Sequence, residues 1–285
     1  MRLYIAICFL ILLCSTPLPS DAQIHTCHWF GDDHTRIHSR ISNITLPEGY
    51  QRCNFDSLSF EAWLRSLPLK APDSAVMLYD GTRKPNQSAH TRVIDIDAGS
   101  RDLQQCADAV MRLAAEFLYQ SGRWDDIAFD FTSGDRAAWN RWSLGWRPRV
   151  SGNEVRWKKT AEIDSSYRSF RKYLNTVFSY AGSYSLSREL VRVPDADSLR
   201  IGDVFIQGGF PGHAVMVVDV AIHARSGDKV FLLAQSYMPA QDIHILKNPG
   251  DAGLSPWYKI HKNDPLVTPE WTFEWSNLKR FAWME

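Results

Sequence analysis

The sequence lacks an excess of charge of either sign. Its 285 residues carry 32 Lys and Arg side chains against 32 Asp and Glu side chains, so the formal net charge is zero. Proteins that bind nucleic acid or an anionic membrane surface generally present a positive field to that partner. The composition therefore argues against a polynucleotide partner and against adsorption to a charged membrane.

Long hydrophobic runs are scarce, since only residues 3–13 form one. Arg2 precedes this run, prolines at 17 and 19 follow it, and Ser20-Asp21-Ala22 supplies small residues, which is typical of a secretory signal peptide over residues 1–22. The run has 11 residues, too few for a membrane span of roughly 20. We expect an exported, periplasmic or extracellular protein without a membrane span. A lipoprotein is the less favoured interpretation, because Cys14 follows Leu12 and Leu13 instead of small residues.

Cysteine is also sparse once the predicted signal peptide is removed. Cys27, Cys53 and Cys106 remain, and an odd number in an oxidising compartment leaves at least one thiol unpaired within the chain. Cys27 and Cys53 both lie in the loop-rich amino-terminal part and are candidates for a disulfide. Cys106 lies in a helical pattern, so we expect it to be the free thiol. The alternative is that it serves as a small buried hydrophobe.

Repeats, low-complexity segments and long linkers are absent, which favours a single domain over residues 23–285. Residues 23–56 are polar and contain four histidines within 25–38, so we expect an extended amino-terminal arm there. The spacing of His25, His28, His34 and His38 does not match a closed zinc site. The sequence therefore predicts neither a metal nor a cofactor.

The hydrophobic pattern changes along the chain from helical to strand-like. It predicts helices over residues 57–67, 101–120 and 166–180, and a hairpin of strands 75–79 and 91–96. Four later segments, 203–206, 213–221, 229–236 and 242–246, have strand character and short connections, as in an antiparallel meander. Helices followed by such a sheet define an α+β fold in which helices pack on a mostly antiparallel sheet.

Three polar residues form the candidate catalytic set. His213 is expected to begin a buried strand, and Gln235 lies on the next strand, where an amide can orient the imidazole of His213. Cys106 supplies the nucleophile from the helix 101–120. His244 is an alternate base on the last strand. Each residue also has a structural interpretation, since His213 and Gln235 can simply satisfy buried backbone groups.

Two further features of the sequence bear on the same candidate site. Asp108 is expected to be a solvated charge on another helical face, not a member of the catalytic set. Residues 180–185 are candidates for one wall of a cleft, although a helix end containing Gly182 explains their composition equally well.

The segment 199–236, with Gly202-Asp203 opening one strand and Gly212-His213-Ala214 opening the next, resembles the CHAP and NlpC/P60 cysteine amidase and peptidase superfamily. That resemblance implies a papain-like fold in which the cysteine stands at the start of its helix. Cys106 departs from this pattern, because the predicted helix places it about five residues in. A longer resemblance is to the secreted bacterial family called domain of unknown function 4846, at residues 103–108, 180–186, 202–215 and 233–241.

Aromatic residues are abundant, and 11 of them are tryptophans. Trp139, Trp142 and Trp146 have helical spacing and lie near arginines, which permits two interpretations. One is core packing, and the other is a platform on which sugar rings stack. Together with Tyr237, these three are the candidate substrate-binding residues.

The sequence supports two hypotheses of different classes. The first is a secreted thiol hydrolase that cleaves amide bonds in cell-wall peptide or another envelope peptide. The second is a non-catalytic envelope module that binds peptidoglycan or glycan on the same fold. The first hypothesis requires Cys106 and His213 to meet in one accessible cleft.

Overall fold

A nine-stranded antiparallel sheet dominates the computed structural model, which describes residues 27–31 and 39–285. The predicted signal peptide, and three of the four amino-terminal histidines, lie outside these residues. Five α-helices occur in the described part of the chain: α1 (Phe60–Arg65), α2 (Cys106–Gln120), α3 (Trp139–Ser143), α4 (Tyr167–Tyr180) and α5 (Ser183–Glu189).

The strands before the meander are β1 (Tyr50–Arg52), β2 (His90–Val93), β3 (Ala128–Asp130), β4 (Arg136–Ala138), β5 (Trp146–Ser151), β6 (Glu154–Lys159) and β7 (Val191–Arg192). The later strands are β8 (Val204–Gln207), β9 (His213–His223), β10 (Lys229–Gln235), β11 (His244–Leu246), β12 (Tyr258–Lys259), β13 (Leu266–Val267), β14 (Thr272–Phe273) and β15 (Leu278–Arg280).

The predicted meander is confirmed. Strands β8, β9, β10 and β11 are neighbours in chain order and pair antiparallel within the order β2-β11-β10-β9-β8-β15-β7. The first nine residues of β9 are buried, which accounts for their nearly continuous apolar sequence. The helix α2 packs against β9, so its amino-terminal end meets the end of the sheet where His213 stands.

The helix α2 begins at Cys106, five residues later than the sequence pattern predicts. Residues 101–105 form turns, and the backbone N–H of Gln105 donates to the Asp108 carboxylate at 3.0 Å. A side chain at the third helical position fixes the start of a helix when it accepts a hydrogen bond from the backbone N–H of the residue just before the helix. Cys106 is therefore in the first turn, and the predicted start at residue 101 is wrong.

The predicted hairpin of residues 75–79 and 91–96 is also wrong. The strand β2 pairs with β11, while Met77 and Leu78 make only isolated bridges to Arg83 and Gln241. Tertiary pairing with the end of the meander thus replaces the local pairing that the sequence favours. The other two predicted helices are present, and Ser59 caps α1 by accepting a hydrogen bond from the Ala62 N–H.

Residues 39–56 are integrated into the fold and do not form an extended arm. Ile41 is fully buried in the core, and β1 pairs with the far end of β9. Arg52 also forms an ion pair with the buried Asp219 of β9. Cys27 is buried whereas Cys53 is exposed, and the structure contains no disulfide between them.

Two of the five tryptophans of the 123–159 segment, Trp139 and Trp142, are core residues. Trp139 and Trp142 are 0% and 6% exposed, and both pack edge-on against Tyr173 of α4. Trp146 is half-buried at the start of β5, outside the helix that the spacing suggested. Burial removes the faces of Trp139 and Trp142 that a sugar ring would need, so core packing, the first of the two interpretations, describes these two residues. Within the described residues, no helix has the length and apolar character needed to cross a bilayer.

Candidate active site

Cys106 and His213 line the same cavity, which has a volume of about 520 Å³. The helix α2 brings Cys106 to it, and the first residue of β9 brings His213. Tyr237 and Trp271 complete the wall around His213, while Phe210 and Met238 lie at the surface, 91% and 67% exposed. A cysteine and a histidine from distant parts of the sequence thus line one cavity.

The thiol of Cys106 lies at the open end of α2 against the start of β9. Burial and, to a smaller extent, the Asp108 carboxyl together raise the pKa of this thiol to about 11. Backbone N–H groups of Cys106, Ala107 and Ala214 oppose this effect by hydrogen bonding to the sulfur. The side chain is half-buried and lines the cavity, so a ligand there meets a protonated thiol at neutral pH.

His213 is 2% exposed and packed among aromatic rings. The rings of Tyr237 and Trp271 lie 4.9 and 5.3 Å from its ring centroid. Burial lowers the pKa of His213 to about 4, which leaves a neutral imidazole at physiological pH. Its Nε2 lies 2.8 Å from Oε1 of Gln235. Because an amide oxygen only accepts, Nε2 donates, and Nδ1 is the ring nitrogen that remains able to accept a proton.

Gln235 therefore hydrogen bonds to the His213 ring from the adjacent strand. Its Nε2 donates to Oε2 of Glu270 at 2.7 Å, on the opposite side from His213. Glu270 and Trp271 both lie in the turn between β13 and β14, and neither was among the sequence candidates. Nothing in the local sequence marks them, because the turn follows β10 by about 35 residues of mostly irregular structure.

His244 is adjacent to the site but does not face the cavity. It is paired in register with Gln235, is fully buried, and does not line the opening. Burial lowers its pKa to about 3. Its Nδ1 contacts the backbone oxygen of Asp242 at 2.9 Å. The prediction of an alternate base is therefore corrected: His244 stands behind Gln235 and has no access to Cys106 through this cavity.

Asp108 is buried, contrary to the expectation of a solvated charge. It is 6% exposed and lines the cavity beside Cys106. Oδ2 caps α2, whereas Oδ1 has no hydrogen-bond partner within the part of the chain that the structure describes. Burial raises its pKa well above the usual range for a carboxyl group.

Residues of the 180–185 segment form the wall facing the sheet, as one interpretation of the sequence suggested. Ala181, Gly182, Ser183 and Tyr184 all line the cavity, and α5 begins there. Among the candidate substrate-binding residues, Tyr237 lines it as well, whereas Trp139, Trp142 and Trp146 do not. Across residues 27–31 and 39–285, no group of three or more His, Cys, Asp or Glu side chains is arranged to hold a metal ion.

The structure defines a mixed α and β protein with a large antiparallel sheet, a few helices, and a cavity at the junction of α2 with β9. Residues 40–280 match the family described as domain of unknown function (4846), so the chain belongs to that family. Neither a curated protein nor a solved structure matches the chain significantly.

Proposed function

We propose that the cavity is the active site of a thiol hydrolase that cleaves amide bonds. The observation that carries this proposal is that Cys106 in the first turn of α2 and His213 at the start of β9 line one cavity, with Gln235 bonded to His213 at 2.8 Å. The set consists of a nucleophile, a base and a residue that orients the base, which is the requirement for covalent acyl transfer.

In the proposed reaction, Sγ of Cys106 attacks the amide carbonyl carbon while Nδ1 of His213 takes the thiol proton. The N–H groups of Cys106 and Ala107, which contact the sulfur before substrate binds, then donate to the negative carbonyl oxygen, since the first amides of a helix have no partner within it. The C–N bond then breaks, and His213 returns the proton to the leaving amine. Water hydrolyses the thioester with His213 again as base, which regenerates the thiol and releases a carboxylic acid.

The resting pair in this mechanism is a thiol and a neutral imidazole. The raised pKa of Cys106, about 11, and the lowered pKa of His213, about 4, both favour that state over a preformed ion pair. Proton transfer therefore accompanies the attack and does not precede it. A bound carbonyl group would lower the cost of the transfer by placing the new negative charge against the helix amides.

Cys106 lies in the first turn of its helix, which is the position that a CHAP-like or NlpC/P60-like site would require of its cysteine. We propose a papain-like arrangement of the site on this basis. The predicted signal peptide would bring the enzyme to the periplasm or the outside of the cell. Peptides of the cell wall or envelope are then the substrates it would meet, and the aromatic wall of the cavity suits an apolar side chain next to the cleaved bond.

A peptidyl acyloxymethyl ketone tests the proposal, because its carbonyl engages a nucleophile and a base as an amide does. We expect such a leucine-containing probe to modify Cys106 at pH 7, and we expect the full-length protein to release new amines from peptidoglycan fragments. Cys106→Ala should abolish both reactions, whereas Cys53→Ala, which removes an exposed thiol, should leave them intact. Modification of Cys106 no faster than that of Cys53, with no amines released, would refute the hydrolase.

The second candidate is a binding module for envelope peptide or glycan, and the raised pKa of Cys106 favours it, because a protonated thiol is a poor nucleophile. In that case the cavity binds an envelope peptide without cleaving it. Equilibrium dialysis with the same peptidoglycan fragments separates the two. Binding that survives both Cys106→Ala and His213→Ala, without any product, would favour the module over the enzyme.

A further inference from the structure

We infer that Glu270 and His244 are positioning residues that fix the amide of Gln235, and thereby hold His213 as the tautomer that carries its proton on Nε2. Under the proposed function this leaves Nδ1 free to take the proton of Cys106, so the inference rests on that function for its purpose. The tautomer itself is a property of the folded protein and is measurable without any substrate.

The amide of Gln235 has a different partner at each end. Oε1 lies 2.8 Å from Nε2 of His213, and Nε2 lies 2.7 Å from Oε2 of Glu270. The same Nε2 lies 3.4 Å from Nε2 of His244. Turning the amide over would place its oxygen against a carboxylate oxygen that can only accept. In a buried site such an opposed pair is strongly unfavourable, so Glu270 selects one orientation.

Glu270 is itself held in place. Nζ of Lys84 pairs with its Oε2 at 2.5 Å, and Nδ2 of Asn86 donates to its Oε1 at 3.2 Å. The side chains of Lys84 and Glu270 are only 5% and 13% exposed, so each charge relies on the other for compensation. These contacts hold the Glu270 carboxylate in a position directed at Gln235.

His244 supports the same orientation from the neighbouring strand. Its Nδ1 contacts the backbone oxygen of Asp242, which only accepts, so Nδ1 carries the proton. Nε2 of His244 is then an acceptor, and it faces the Gln235 amide nitrogen. Both N–H bonds of the Gln235 amide thus have acceptors. Its oxygen accepts the Nε2 proton of His213.

Nitrogen-15 spectra of the histidine rings in the labelled full-length protein test the inference directly. We expect His213 to show a protonated Nε2 and an unprotonated Nδ1 at pH 7. In Glu270→Ala the amide is free to turn, and a substantial fraction of His213 should move its proton to Nδ1. Glu270→Gln keeps an acceptor oxygen and should restore the first tautomer.

Glu274→Ala, a change of the same residue type in the exposed segment just beyond β14, serves as the matched control and should leave the tautomer unchanged. If Glu270→Ala does not fold because Lys84 is left unpaired, the double variant Lys84→Met with Glu270→Leu removes both charges and should show the same shift. A wild-type His213 protonated on Nδ1, or a pure Nε2 tautomer in folded Glu270→Ala and in the double variant, would overturn the inference.

The labelling rate of Cys106 by the peptidyl ketone distinguishes this inference from the proposed function. If both hold, Glu270→Ala should slow labelling about tenfold and Glu270→Gln should recover it. An unreactive Cys106 in a protein that shows the expected tautomer changes would refute the hydrolase and leave the positioning role intact. Fast labelling together with an Nδ1 proton would refute the positioning role alone.

Discussion

The cavity has a sheet wall, which carries His213 with Gln235 behind it, and a helix wall, which carries Cys106 and Asp108. The two walls differ in how completely their polar groups are hydrogen bonded and oriented. On the sheet wall, Nε2 of His213 and both ends of the Gln235 amide are hydrogen bonded. On the helix wall, the pKa of Cys106 is raised by burial, and Asp108 keeps one buried oxygen without a described partner. The base is oriented before a ligand arrives, whereas the nucleophile is not yet ionised. The barrier in the proposed reaction therefore lies in removing the thiol proton.

The pH dependence of alkylation measures this difference on the helix wall. Iodoacetamide is small and reports the thiolate present at rest, so its rate at Cys106 should rise about tenfold per pH unit from pH 7 and level off near pH 11. The rate is measured by peptide mapping in a Cys53→Ser background. Asp108→Asn removes a charge that raises the pKa, so its profile should lie at lower pH. A plateau near pH 7 in the wild type would show a preformed thiolate.

Replacing His213 removes the proposed base from the sheet wall. In His213→Ala the thiol proton has no acceptor, so labelling of Cys106 by the peptidyl ketone at pH 7 should fall about a hundredfold or more. The matched control is His223→Ala at the other end of β9, which should keep the wild-type rate. A rate in His213→Ala within a few-fold of the wild type would assign the base elsewhere.

Burial of a neutral His213 in the sheet wall also lowers the stability of the fold in acid. His213 is neutral in the fold with a pKa of about 4, whereas an unfolded histidine has a pKa of about 6.5, so the unfolded chain binds a proton first as the pH falls. Its contribution to stability is complete above about pH 6.5 and is lost down to about pH 4. Between pH 7 and 5 this loss is on the order of 2 kcal/mol.

Urea unfolding at the two pH values measures the loss. His213→Gln removes the titrating group, so its stability should fall less between pH 7 and 5, by about the same 2 kcal/mol. His244, with a pKa of about 3, remains in both proteins and contributes equally to each. An identical pH dependence in the wild type and the variant would mean that His213 is not buried as a neutral ring.

The sequence predicts the sheet wall better than the helix wall, for physical reasons. Strand periodicity identifies β9 and β10, and it places His213 and Gln235 on adjacent strands. The start of α2 is set by the hydrogen bond between Gln105 and Asp108, and the hydrophobic spacing that predicts a start at residue 101 carries no information about that contact. Glu270 lies in an irregular turn, where no periodic sequence pattern predicts a contact with Gln235.

The tryptophans show a second limit of sequence patterns. A stripe at helical spacing predicts that Trp139 and Trp142 share a face, but it does not say whether that face meets solvent or core. Here α4 covers it, since both indoles pack against Tyr173. Three aromatic residues that line the cavity, Phe210, Tyr237 and Trp271, come from loops instead, and the most exposed of these is Phe210.

Truncating Phe210 tests whether that exposed ring serves the cavity. A substrate side chain that covers part of the ring gains about 1 kcal/mol, so Phe210→Ala should slow labelling by the leucine-containing ketone about fivefold. Iodoacetamide lacks such a side chain, and its rate should not change. Ile163→Ala removes a ring-free apolar residue that is 67% exposed and does not line the cavity, so it should leave both rates unchanged. Equal slowing of both reagents in Phe210→Ala would mean that the ring acts by positioning Cys106 or His213 and not by contacting the substrate.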